Sequence, residues 1–255
     1  MTEVLRTAGV WLGLGALLYL VLCAALYLFQ RSLLYFPQPA RGTASWMELS
    51  VPGAQLHVSL QERSGPQAVL YFGGNAEDVS FSLAELAATF PEQSVYALHY
   101  RGYGHSTGQP TETALQADAL ALFDHVARQR ADITVVGRSL GSGLAVSLAA
   151  QRTVSRLVLV APYDSIEAVA AQHYPLFPVR WLIRDRFDAV ALAPRVRAAT
   201  TVIVAERDEV IPRARTDALV SRFAPGVVRL VVVPGAGHNT LDGHPGYDAA
   251  LAGRP

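Results

Sequence analysis

The chain has no lysine: its 21 basic residues are all arginine, against 21 acidic ones. That absence excludes a Schiff-base lysine mechanism. The single cysteine, Cys23, excludes an intrachain disulfide and any multi-cysteine metal site. Net charge is +0 and the pI is about 7.1, so no global field recruits nucleic acid. There is no internal repeat and no low-complexity tract. What is present in excess is apolar residues, 51% of 255, and the excess is concentrated near the N-terminus. The length allows one α/β domain with an appendage.

Ala8 to Phe29 carries no charged residue. As a helix it would be about 33 Å long, enough to cross a hydrocarbon core. Trp11 lies near one end and Tyr27 and Phe29 near the other, where interfacial aromatics belong. A buried core helix would show a polar face, and none is seen. A cleaved signal peptide would have a shorter apolar core; here Leu26 to Phe29 continue it past Cys23-Ala24-Ala25. The expectation is a single-pass anchor in residues 1–30, spanning about 8–29. Arg6 at one end and Arg31 and Arg41 at the other leave its orientation open. Gly9 and Gly13 form a weak helix-pairing signal. Residues 31–43, with Phe36-Pro37-Gln38-Pro39, read as a linker, and 44–255 as the folded domain.

Within that domain, apolar runs alternate with helical patterns. Strands are expected at Trp46–Val51 and Gln55–Leu60 as a hairpin across Pro52-Gly53, then at Gln67–Phe72, Val95–Tyr100, Ile133–Val136, Val154–Val160, Thr201–Ala205 and Val227–Val233. Helices are expected from a cap at Asp78 to about Phe90, over Glu112–Gln129, over Leu144–Ala150, and after His238. The alternation predicts an α/β fold with a mostly parallel, doubly wound sheet behind an N-terminal antiparallel hairpin.

The stretch Gly137-Arg138-Ser139-Leu140-Gly141 sits between a short β-branched run and a small-residue helical run. A serine at a strand-to-helix corner is a nucleophile-elbow arrangement, and glycines two before and two after it relieve crowding in a strained turn. A serine needs a base, and the base an orienting acid. His238, in Pro234-Gly235-Ala236-Gly237-His238 after the last strand, is the candidate base. Asp208 is the candidate acid, chosen from Glu206, Asp208 and Glu209 after the strand Thr201–Ala205. The order Ser139, Asp208, His238 is nucleophile, acid, base. For the oxyanion hole the Leu140 N–H is one donor; Asn75 N–H is the other, with Gly74 as runner-up.

Two competing motifs fall away. Gly102, Gly104 and Gly108 are one residue too long for a dinucleotide loop, and no acidic reader follows. The spacing of His99, His105 and His173 matches no zinc motif, so neither metal nor cofactor is expected. Between Ala161 and Pro194 an aromatic, Pro-punctuated stretch reads either as a small lid, about 163–193, or as a helix packed on the sheet. Tyr174, Phe177 and Trp181 are its candidate substrate-binding residues. A short lid leaves an open, apolar pocket suited to an acyl chain or a simple ester.

From about Gln30 onward the chain resembles the alpha/beta-hydrolase superfamily, in particular its membrane-anchored branch, similar to bud-emergence-type hydrolases and mammalian alpha/beta-hydrolase-domain proteins. The resemblance is carried by Phe29-Gln30-Arg31 with Tyr35-Phe36-Pro37, by Gly74-Asn75-Ala76, and by Tyr100-Arg101-Gly102-Tyr103-Gly104 with Ser106 and Gly108. It continues in the elbow through Gly143, Phe187-Asp188, the Asp208–Pro212 turn and Gly237-His238. Gly73 departs from it, since histidine is usual there, as does His99, at an often acidic position. The resemblance implies a serine hydrolase with Ser139, Asp208 and His238 as triad. With the open, apolar pocket the expected reaction is cleavage of an ester or thioester of a small or lipid-like acyl substrate; the apolar N-terminal run adds membrane attachment, and the balanced charge leaves no nucleic-acid partner expected. A peptidase, amidase or acyltransferase on the same residues is the alternative. A non-catalytic membrane-tethered scaffold is the alternative of another class.

Overall fold

The computed structural model describes residues 2–244 and 246–253. One helix, α1 (Thr2–Leu34), precedes everything else. It has no proline and continues past Arg31, where the linker was expected, to Leu34. It is long and apolar enough to cross a membrane, and most of it is exposed, with Cys23 its one buried residue. It is therefore a candidate membrane anchor.

The rest is an eight-stranded sheet in the order β1-β2-β4-β3-β5-β6-β7-β8. The strands are β1 (Trp46–Val51), β2 (Ala54–Gln61), β3 (Gln67–Phe72), β4 (Ser94–Leu98), β5 (Asp132–Arg138), β6 (Arg156–Val160), β7 (Ala199–Ala205) and β8 (Val228–Val233). β1 and β2 pair antiparallel around the Pro52-Gly53 turn, and β2 pairs antiparallel with β4. All other pairings are parallel. This is the expected alpha/beta-hydrolase fold.

The helices are α2 (Val79–Thr89), α3 (Glu112–Val126), α4 (Leu140–Ala149), α5 (Ile166–His173), α6 (Val179–Leu182), α7 (Ala189–Leu192), α8 (Arg213–Val220) and α9 (Tyr247–Ala252). Side-chain caps set several starts. Asp78 accepts from Ser80 N (3.1 Å), Thr111 from Ala114 N (3.2 Å) and Ser165 from Ala168 N (3.0 Å). The stretch 163–193 holds α5, α6 and α7.

Strand side chains alternate between two core layers. In β3, Ala68, Leu70 and Phe72 join one layer, while Val69 and Tyr71 join the other. The central strands are covered on both faces, which is why they read as continuous apolar runs. Every residue of α4 is buried. Leu144 and Leu148, with 0% and 1% of their surface exposed, each stabilise the fold by roughly 2 kcal/mol through burial. That packing holds a Gly- and Ser-rich start in helix and fixes the corner ahead of it.

Candidate active site

The corner between β5 and α4 carries Ser139 at φ 48°, ψ −116°. A non-glycine residue adopts such a conformation only where its surroundings impose it. Here Ser139 N donates to Val160 O (2.9 Å) on β6, and Ser139 O accepts from Ser142 N (2.9 Å) and Ser142 Oγ (2.6 Å). Both glycines of the motif are sterically required. A Cβ on Gly137 would stand 2.5 Å from Gly141 O and 2.6 Å from the Ala145 Cβ. One on Gly141 would collide with Phe72 O and lie 2.7 Å from Gly73 O, at the end of β3.

Two loops at the carboxyl ends of β7 and β8 deliver the remaining groups. His238 Nε2 lies 3.0 Å from Ser139 Oγ. Its Nδ1 lies 2.9 and 3.0 Å from the two carboxylate oxygens of Asp208. With Nδ1–H donating to Asp208, Nε2 is left to accept from the serine hydroxyl. Asp208 is held in turn by Ile211 N (2.7 Å) and Val210 N (3.0 Å), which donate to its Oδ1. His238 is 6% exposed. The three residues singled out in the sequence are thus brought together across 99 and 30 positions of chain.

The other two carboxylates after β7 are structural ties. Glu206 accepts from Gly235 N (2.8 Å) and Glu209 from His238 N (3.1 Å). Each joins the acid loop to the base loop, so the two loops hold one another in place. Nothing in the local pattern marks this; it depends on β7 and β8 being neighbours.

At the end of β3 the backbone turns beside the serine. Gly74 N–H is already committed to Glu77 Oε2 (2.6 Å). Asn75 N–H has no protein acceptor among the described residues, and Leu140 N–H, first in α4, has no intrahelical partner. The Asn75 side chain is a clamp. Its Oδ1 accepts from Tyr103 OH (2.8 Å) and Phe36 N (3.1 Å), and its Nδ2 donates to Leu34 O at the end of α1.

Glu77 is the residue that sequence reasoning passed over. Besides Gly74 N it accepts from Tyr71 OH (2.7 Å) and Ser82 Oγ (2.6 Å), and it lies 3.5 Å from Arg138 in the elbow. It braces the turn after β3 against the corner that holds Ser139. Its position three residues after Gly74, at a predicted helix start, was the available signal.

Tyr174, Phe177 and Trp181 lie on the α5–α6 segment. Phe177 stacks on Tyr19 of α1 (centroids 5.8 Å apart), and Tyr174 and Trp181 are exposed. None makes a hydrogen bond or ring contact to Ser139, Asp208 or His238. His173 Nε2 stands 3.1 Å from Val210 O, so the end of α5 abuts the acid loop. His99 and His105 belong elsewhere, His99 stacked on His57 and His105 tilted against the same ring. Among the described residues no group of His, Cys, Asp and Glu side chains is arranged to hold a metal ion.

The arrangement is that of a hydroxyl aligned with a base, an anchored acid behind the base, and two backbone N–H groups at the turn and helix start nearby. Comparison with known proteins agrees with the architecture. Residues 64–192 match a family model described as serine aminopeptidase, S33. An uncharacterised protein of Mycobacterium tuberculosis is 37% identical over 243 residues, covering 86% of this chain and 85% of that protein. Protein bem46 of Schizosaccharomyces pombe is 26% identical over 228 residues, covering 76% and 74%. The solved structure of mouse alpha/beta hydrolase domain-containing protein 10 superposes with a TM-score of 0.64 at 17% identity, over 82% of this chain and 96% of that one.

Proposed function

Because the chain belongs to the alpha/beta-hydrolase family, we propose that it is a membrane-anchored serine hydrolase that cleaves acyl esters or thioesters through Ser139, His238 and Asp208. The observation that carries this reading is the unbroken chain of contacts from Ser139 Oγ through the imidazole to the Asp208 carboxylate.

In the proposed mechanism His238 Nε2 takes the hydroxyl proton as Ser139 Oγ bonds to the acyl carbon. Negative charge develops on the carbonyl oxygen, and the N–H groups of Leu140 and Asn75 receive it. Gly74 is not the donor in this scheme, since its N–H serves Glu77. The imidazolium, stabilised by Asp208, gives its proton to the departing alkoxide or thiolate. Water then attacks the acyl-enzyme, passing one proton to His238, and the acid leaves as Ser139 recovers its hydrogen. No cofactor is required by these steps.

Ser139→Ala tests the proposal. It should abolish labelling by a fluorophosphonate probe and lower turnover of short p-nitrophenyl esters by about 10³-fold or more, with the thermal unfolding profile preserved. Equal labelling of the variant would overturn it. A second reading, amide hydrolysis on the same residues, draws on the serine aminopeptidase description of the matching family model. Matched p-nitroanilide and p-nitrophenyl substrates separate the two.

A further inference from the structure

Helix α1 does not stand free of the domain. Tyr19 OH donates to Leu176 O (2.9 Å) and its ring stacks on Phe177 with an interplanar angle of 3°. Further along α1, the Arg184 guanidinium sits 4.1 Å from the Tyr27 ring centroid, Gln30 Nε2 donates to Leu182 O (2.9 Å), and Arg31 pairs with Asp185 at 2.8 Å. Tyr19, Cys23, Tyr27 and Gln30 recur at helical spacing, so one stripe of α1 faces the segment from Leu176 to Asp185, and Cys23 is the one buried residue of the helix.

These contacts conflict with a domain held clear of the bilayer. The uncharged part of α1 ahead of Tyr19, residues 7–18, is only about 18 Å long, whereas a hydrocarbon core is about 30 Å thick. A crossing must therefore include the part of α1 on which the α5–α6 segment lies. With Phe29 at the boundary, Tyr19 stands about 15 Å further in, and Leu176 and Phe177 stand beside it.

We propose that residues 174–181 are a second membrane-inserted element, seated in the acyl region of one leaflet against α1; this rests on reading α1 as a span. The exposed surface fits hydrocarbon: Leu176 is 81% exposed, Trp181 80% and Tyr174 51%. Backbone polar groups in hydrocarbon need internal partners, and much of this turn supplies them. Pro175 and Pro178 carry no N–H. Tyr174, Phe177 and Val179 donate to Ala170, Tyr174 and Phe177 carbonyls, and Leu176 O has Tyr19. At the level of Tyr27 to Arg31 the character changes. Arg184 and Arg186 are exposed there, where lipid phosphates lie, and Arg180, the one charged residue of 174–181, is exposed with a stem long enough to reach that level. His173, directly ahead of this segment, meets Val210 O in the Asp208 loop. The segment therefore sets the catalytic groups next to the leaflet, and an acyl substrate enters from the bilayer side.

The test uses the full chain in phosphatidylcholine vesicles, with Trp181 as the sole tryptophan after Trp11→Phe and Trp46→Phe. Lipids brominated in the acyl chain should quench its emission, and aqueous iodide should not. A companion chain keeping only Trp11 reports on α1. Quenching of Trp11 by brominated lipid with Trp181 open to iodide would overturn the proposal while leaving the span intact. Loss of lipid quenching at both positions would overturn the span and the proposal together. Protection of Trp181 from both quenchers would assign this face to a protein neighbour and equally overturn it. Leu176→Glu, at an exposed position, should lower hydrolysis of a vesicle-embedded long-chain ester about tenfold. Fluorophosphonate labelling of Ser139 and turnover of p-nitrophenyl acetate should be unchanged. Equal loss on both esters would overturn bilayer delivery, and absent labelling in the parent chain would overturn the hydrolase reading instead.

Discussion

Asp208 touches the imidazole with both carboxylate oxygens and takes two backbone N–H bonds besides. Asp208→Asn keeps the size and turn but offers Nδ1 the wrong partner, favouring the opposite tautomer. Turnover of a short ester should fall by about 10⁴-fold, while circular dichroism stays unchanged. Away from this site, buried His99 stacks on His57 at 4.6 Å and meets Ser59 Oγ through Nε2 (2.8 Å). Burial, then the neighbouring His57, holds its pKa down at about 4, with His105 acting the same way and Asp78 opposing. The unfolded chain binds this proton near 6.5, the folded chain only near 4. The neutral-ring contribution is therefore intact above 6.5 and is lost as pH falls between these values, by up to about 1.4 kcal/mol per pH unit. Thermal melts across that range should show the decline, and His99→Gln should flatten it. Ser139, Asp208 and His238 were legible as residues because each sits in a short pattern at a strand end. Glu77, Glu206 and Glu209 were not, because their partners are backbone groups that only the fold brings near.

Among the elements, the elbow is the most constrained. Gly141 lets α4 approach the end of β3, where Phe72 O occupies the space a side chain would need. The obstacle is backbone on both sides, so Gly141→Ala should destabilise the domain by about 3 kcal/mol and lower the thermal midpoint. The same change at exposed Gly65, with open space around it but φ +118°, would add strain without collision. Most strands were legible from their apolar runs, and the Asp78 cap from its side chain. The start of α4 was expected at Leu144 but lies at Leu140, because complete burial overrides the poor propensity of Gly141 and Gly143. The Val154 strand begins only at Arg156, and α3 ends at Val126 instead of Gln129. These are end effects, where local preference is weak and neighbouring contacts decide.

For the molecule as a whole, one exposed apolar helix is joined to a sheet domain by a polar clamp. Asn75 ties the end of α1 to the turn beside Ser139, and Asp185 accepts from Arg31 as well as from Glu112 N (3.3 Å) at the start of α3. If α1 is an anchor, the full chain should remain in the membrane pellet after alkaline carbonate. Leu14→Asp with Leu18→Asp, both on exposed positions, should release it, since each charge at mid-span costs about 3 kcal/mol. Retention of the double variant would refute a spanning helix.

Periodicity and short motifs suffice to read the strands, the apolar helix, the serine corner and the order of its partners, because each is written in residues close together along the chain. The mutual bracing of the acid and base loops, the commitment of Gly74 N–H to Glu77, and the docking of residues 176–185 along one stripe of α1 depend on groups far apart in the chain. Those pairings exist only after β7 and β8 align and α1 is laid against the domain, and so tertiary structure alone decided them.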